Sequence, residues 1–137
     1  MAKPRQQSKA LKLLNEYRPN LWRKFALEAC PGVNDHSLSV CLEDIQFVEK
    51  LVETLKCNIR IGVKMFWILQ STFMTDKQPG DVEEILSDIT VKYECIPRRT
   101  YFRLKKQAID RLDDYLDKIA FLELRNNTNR LYKNLNA

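Results

Sequence analysis

Three observations predict an all-α protein, a helical bundle that ends in one long helix. Apolar residues recur three and four positions apart rather than in alternation. Only three glycines and five prolines occur in 137 residues, too few for a turn-rich β-fold. The hydrophobic fraction of 45% is ample for a packed core and argues against wholesale disorder. A chain of this length holds one compact domain, or one domain with a helical extension.

The opening residues, MAKPRQQSK, are polar and basic and are expected to fray. From Ala10 onward, Leu11, Leu14, Tyr17, Leu21, Trp22, Phe25 and Ala26 keep a helical rhythm. Pro19 interrupts it, so the expectation is a short helix, a break, and a second short helix to about Ala29. Residues 30–37, CPGVNDHS, carry loop composition. An amphipathic helix is expected from about Ser39 to Leu55. Cys41, Ile45, Val48, Val52 and Leu55 share one face, and Glu43 and Asp44 complement the dipole in the first turn.

Asn58 breaks the chain. A helix from Ile59 to Met74 is apolar on nearly every side, which assigns it to the centre of the bundle, although Gly62 weakens its first turn. DKQPG, residues 76–80, stops it. Asp81 and Glu84 form a capping-box pattern for a helix with Val82, Ile85, Leu86, Ile89 and Tyr93 as its buried stripe. Pro97 suits a first helical position. The last helix is expected from about Arg98 to Leu124, with Tyr101, Leu104, Ala108, Leu112, Tyr115 and Ile119 facing inward, and NNTN at 126–129 ending it. The chain thus divides into an N-terminal helical region, 1–57, a second unit, 58–125, and a tail, 126–137.

Lysine and arginine number 23 against 18 acidic residues, for a net charge of +5. Distribution matters more than this modest excess. Acids gather at 43–53, 81–88 and 110–117, whereas RRTYFRLKK, residues 98–106, contains none.

The four cysteines form no C-x-x-C pair and His36 is the only histidine, a poor basis for zinc. With no secretory signal, free and mostly buried thiols in a reducing cytoplasm are expected. The longest apolar stretch, around Met65 to Leu69, is too short for a bilayer, so no membrane role is expected. No glycine-rich phosphate loop or nucleophile motif accompanies His36 and Asp35, which are assigned to a loop. Neither enzymatic activity nor a cofactor is expected. Asp113, Asp114 and Asp117 lie among Arg111 and Lys118, where exposed ion pairing is favoured over a metal site.

The informative unit is residues 59–112: a buried helix, a Pro-Gly loop, a capped amphipathic helix, a turn, and a helix with a basic N-terminal half. That order is what a helix-turn-helix requires, with Arg98 to Lys106 at the start of the recognition helix. Its apolar stripe would leave Arg99, Arg103, Lys106, Gln107 and Asp110 facing outward, with Arg98 at the tip and Asp110 spaced to orient Arg103 or Lys106. Arginine forks read guanine and glutamine reads adenine, while Lys77, Lys92 and Lys105 suit phosphates. A basic helical face is more commonly plain solvated surface; the acid-free run placed just after a turn and a proline is what shifts the balance toward DNA.

The stretch VEEILSDITVKYECIPRRTYFRLKKQAIDRL resembles the helix-turn-helix of region four of bacterial sigma factors. It is more similar to phage regulators of the ArpU and RinA type, whose motif has the form S-x-x-T-Y-Y-R-L-K-x-x-A-L. PRRTYFRLKKQAI, residues 97–109, resembles that motif, and FWILQSTFMTDKQPGD resembles the helix and loop before it. Pro97 stands where the family carries a small hydroxyl residue, and DITVKYEC lengthens the segment before the turn. The resemblance spans about residues 38–120 and implies an activator of phage late genes in the bacterial host cytoplasm. It implies that Arg98, Arg99, Thr100, Arg103 and Lys106 meet promoter DNA. The N-terminal helices would then close the bundle, form a homodimer, or contact RNA polymerase. Two alternatives stay open: a small terminase-like DNA-recognition subunit, and a helical protein-interaction module without DNA.

Overall fold

The computed structural model describes the backbone of residues 7–30, 32 and 35–135, and side chains as far as residue 120. Five α-helices make up the fold, with no strand among the described residues. They are α1 (Lys9–Glu28), α2 (Asp35–Glu53), α3 (Ile61–Phe73), α4 (Val82–Lys92) and α5 (Arg98–Leu135), and a 3-10 turn, Thr54–Cys57, follows α2. No helix among them is long and apolar enough to cross a membrane.

One contiguous core runs from Ala10, Leu14 and Tyr17 in α1 to Tyr101, Leu104, Ala108 and Leu112 in α5. It crosses the expected boundary at residue 57 without interruption, because Ile45, Val48 and Val52 of α2 and Met65, Ile68 and Leu69 of α3 belong to the same cluster. The central place of α3 follows from its apolar composition: it packs on α4 and α5 and also meets α1 and α2. Close approach at its start depends on Gly62. A Cβ there would overlap the Leu55 carbonyl oxygen and lie 2.8 Å from Asn58 Cβ, so this glycine, weak for helix propensity, is required by packing.

Helix α1 is continuous through Pro19, against the expected break. A helix-interior proline removes one hydrogen bond, here the one to the Asn15 carbonyl, and Asn15 is exposed, so water can take the place of the missing N–H. Long-range anchors hold the second half of the helix in line. Arg18 Nε donates to the Thr75 carbonyl at 2.9 Å and Trp22 Nε1 to the Asp76 carbonyl at 2.8 Å, so α1 caps the chain where it leaves α3. Buried Cys41 of α2 donates its thiol to the Asn20 carbonyl at 3.0 Å.

Several boundaries and burials differ from expectation for identifiable reasons. Helix α2 begins at Asp35, so His36 occupies an exposed first helical turn rather than a loop; an acid at that position favours the helix dipole. Ile59 lies outside α3 and is 85% exposed. Trp22 and Phe25 are half-exposed, whereas Phe66 is buried and Trp67 stacks on Tyr93 with centroids 6.3 Å apart. Against the expectation of mostly buried thiols, only Cys41 is buried; Cys30, Cys57 and Cys95 are free and exposed. Helix α5 continues through NNTN to Leu135, since asparagine and threonine cost a helix only a few tenths of a kcal/mol each and no glycine or proline follows Pro97. The expected fraying of residues 1–6 lies outside what is described.

Candidate nucleic-acid interface

The basic segment opens α5, and its placement comes from the opposite side of that helix. Tyr101, Leu104, Ala108 and Leu112, at steps of three and four, are buried against α3 and α1. The Tyr101 hydroxyl shares a 2.8 Å hydrogen bond with Thr72 Oγ1, which itself donates to the Ile68 carbonyl at 2.6 Å. Burial raises the Tyr101 phenol above its ordinary pKa, with the Thr72 bond opposing it. The Pro97 carbonyl accepts the Tyr101 amide at 2.9 Å, so Pro97 stands immediately before the first helical residue.

With that face fixed, Arg99, Arg103, Lys106 and Gln107 are exposed on the outside of α5. Among the described residues no carboxylate lies within ion-pair distance of Arg99, Arg103 or Lys106. Asp110 is exposed nearby but does not pair with Arg103 or Lys106, contrary to the helix-spaced pairing that the sequence allowed. Arg98 does have a partner: its Nη1 lies 3.2 Å from Glu83 Oε1, both side chains being mostly exposed. Such a pair contributes little and opens readily.

The other expected site residues divide. Thr100 is half-buried on the flank of α5. Lys105 turns toward α3, its ammonium 5.6 Å from the Phe73 ring and 5.9 Å from that of Tyr101, and is half-buried rather than outward. Lys77 and Lys92 line one open cleft along the loop before α4 and the length of that helix, together with Asp76, Glu84 and Asp88. Lys92 is 3.0 Å from Asp88 Oδ2 and occupies the last turn of α4, whereas Arg98 reaches the first turn through Glu83. The structure therefore does not bring Lys92 beside the α5 arginines.

The joint between α4 and α5 also differs from a tight turn. Tyr93 and Glu94 meet Trp67 and Lys64 in the first half of α3, while Tyr101 and Lys105 meet Thr72 and Phe73 at its end. Residues 93–97 thus carry the chain back along α3, with Ile96 buried, before α5 begins. Both helices pack on α3; the capping of α4 is as expected, with Asp81 Oδ1 accepting the Glu84 amide at 2.9 Å. The reciprocal bond is donated to Glu84 Oε2 by the Gly80 amide, at 2.7 Å, and not by that of Asp81.

Two features escaped the sequence pattern. Phe102 is 45% exposed, between Arg98 and Lys106 on the same helical row, with the Arg98 guanidinium 5.8 Å from its ring centroid. An aromatic inside an acid-free run, one position away from the inward stripe, was the available signal. The second is Asp113, which accepts from Ser8 Oγ at 2.6 Å and from the Ala10 amide at 2.8 Å, while Asp117 lies 3.6 Å from Lys9. These aspartates dock the N-terminus of α1 instead of pairing with Arg111 and Lys118. No three His, Cys, Asp or Glu side chains among the described residues cluster as metal ligands would. No protein-family model, curated protein or solved structure matches the chain.

Proposed function

We propose that this chain binds double-stranded DNA sequence-specifically and activates transcription of phage late genes in a bacterial cytoplasm. The first half of α5 enters the major groove in this reading. The observation that carries it is the set of three exposed cations, Arg99, Arg103 and Lys106, on a helix whose reverse side is locked into the core and which no described carboxylate neutralises. Cations held outward on a rigid helix suit base edges and flanking phosphates. Arg98 would exchange its exposed partner Glu83 for a phosphate. Lys77 and Lys92, set among carboxylates, would contribute less than the α5 cations.

The late-gene and sigma-like part of the proposal rests on the resemblance of residues 97–109 to the ArpU and RinA motif. The helix-turn-helix part is loosened by the return segment 93–97: α5 is braced by α3 and α1, and α4 flanks the reader. RNA polymerase and a second copy of the chain remain the proposed partners of the N-terminal helices.

A quantitative shift or anisotropy titration against a promoter duplex, repeated across salt concentrations, tests the reading. The expected slope corresponds to roughly four to seven neutralised phosphates. Replacing Arg99 or Arg103 by Ala is expected to weaken binding by about 1–3 kcal/mol each. Unchanged binding with both replaced would refute the docking face. A second reading, a helical module that captures another protein, draws on half-exposed Trp22 and Phe25. It is favoured instead if partner binding is insensitive to salt and no duplex is retained.

A further inference from the structure

We infer that Phe102 is a specificity-determining residue of the α5 face, a contact for the 5-methyl group of thymine; the inference rests on the DNA reading above and adds a base to it. Phe102 follows Arg99 by three residues and precedes Lys106 by four, so all three share one outward strip of the helix. Its ring is not needed to close the core, because the neighbouring inward positions are filled by Tyr101 and Leu104, both buried.

The ring is nonetheless held. Its centroid lies 5.1 Å from that of Tyr101 at an interplanar angle of 71°, an edge-to-face contact with a residue that is 1% exposed and hydrogen-bonded to Thr72. The Arg98 guanidinium lies 5.8 Å from its centroid. A phenyl group braced in this way has lost little freedom by being ordered again on binding, so its contact area is available at low entropic cost.

The chemistry of the groove then selects the target. Phosphates and most base-edge atoms in the major groove are polar and suit Arg99, Arg103 and Lys106. The thymine methyl is the apolar group displayed there, and it separates T·A from C·G at a position that the cations alone read poorly. An exposed phenyl surrounded by cations, on a helix proposed to lie in that groove, is matched to the methyl by exclusion of water from both.

The test uses the full chain and a duplex that it selects from a random-sequence pool, synthesised once with thymine and once with deoxyuridine throughout. Wild-type protein is expected to lose about fourfold in affinity for each contacted methyl that deoxyuridine removes. Phe102→Ala is expected to bind the thymine duplex more weakly and to be indifferent to the exchange. Phe102→Leu, which keeps an apolar side chain of ordinary helix propensity, is expected to retain part of the methyl sensitivity; it serves if the Ala variant misfolds.

Equal wild-type affinity for the two duplexes overturns the inference, as does a selected sequence without thymine or a Phe102→Ala protein that keeps the wild-type penalty. If the wild-type protein selects no duplex, the DNA reading fails and this inference with it. That outcome is distinct from binding without methyl sensitivity, which leaves DNA binding intact and removes only the thymine contact.

Discussion

The two described stretches of α5 on either side of Ala108 differ in what their charges do. In the later stretch, Asp113 caps the first turn of α1 through Ser8 and Ala10, and Asp117 approaches Lys9. In the earlier stretch, Arg99, Arg103 and Lys106 meet no described carboxylate, and Arg98 has only the exposed Glu83. One buried stripe runs through both, with Tyr101 and Leu104 in the earlier stretch and Leu112, beside half-buried Leu116, in the later. What separates them is that Asp113 and Asp117 of the later stretch are engaged by α1, whereas Arg99, Arg103 and Lys106 of the earlier one are engaged by no described carboxylate. Charges that serve architecture can be recognised by their partners, and the remainder are the ones an external ligand can use.

The largest expected effect lies on the shared inner stripe. Tyr101→Ala removes a 1%-exposed ring and its hydrogen bond to Thr72, and is expected to cost about 3–5 kcal/mol in urea unfolding. A loss below about 1 kcal/mol would mean that Tyr101 does not position the basic segment, and the contrast between the inner and outer sides of α5 would collapse.

Next in size is the architectural use of the later stretch. Asp113→Ala leaves the Ala10 amide and the Ser8 hydroxyl without their shared acceptor and is expected to cost about 1–2 kcal/mol. Asp114, one residue on and exposed, is the control, with an expected change within about 0.5 kcal/mol on replacement by Ala. Equal effects from the two aspartates would show that the cap contributes no more than plain surface charge.

A smaller effect is expected at alkaline pH, from α1 and α2. Burial, then hydrogen bonding and repulsion from Glu49, push the Tyr17 phenol up to about 12. The unfolded chain ionises this group near 10. Because the folded value is the higher one, the folded state keeps a proton that the unfolded state releases. The contribution is complete below pH 10 and is lost as pH rises toward 12. Wild-type stability should therefore fall more steeply over that interval than that of Tyr17→Phe, which has no phenol to ionise. Parallel curves in chemical denaturation would place Tyr17 in water in the folded state.

These contrasts also show which features the sequence made legible. Residue spacing identified most of the inner stripes of α2, α4 and α5, because a helix buries every third or fourth position whatever it packs against, but Tyr93 and Tyr115, expected inward, are exposed. Ile45, Val48, Ile85, Ile89, Leu104 and Leu112 are buried as expected. Features that depend on distant partners were not legible. The continuity of α1 through Pro19 rests partly on Arg18 and Trp22 reaching a loop more than fifty positions away, and Asp113 caps a helix whose N-cap residue, Ser8, lies 105 positions earlier in the chain. The direction of Lys105 depends on where Phe73 sits, which periodicity on α5 alone cannot supply. The outward placement of Arg99, Arg103 and Lys106 was legible because it is the complement of the buried stripe. The return of residues 93–97 along α3 was not, since five irregular residues can equally make a tight corner or an extended passage.

The smallest expected effect is the most discriminating for the comparison. Arg99→Ala and Arg103→Ala should each change folding stability by no more than about 0.5 kcal/mol, because both side chains are exposed and no described carboxylate loses a partner. Removing two cations from a protein of net charge +5 reduces self-repulsion slightly, which opposes any loss of helix propensity. Alanine is the best helix former, so the substitutions cost the helix nothing by propensity. A drop of 2 kcal/mol or more, roughly the cost of losing a hydrogen bond to a charged group, would mean that these guanidinium groups hold the fold as Asp113 does. Stability that is unaffected while duplex affinity falls would separate the two jobs of α5 residue by residue: Tyr101 and Asp113 keep the helix in place, and Arg99 and Arg103 act on what the helix meets.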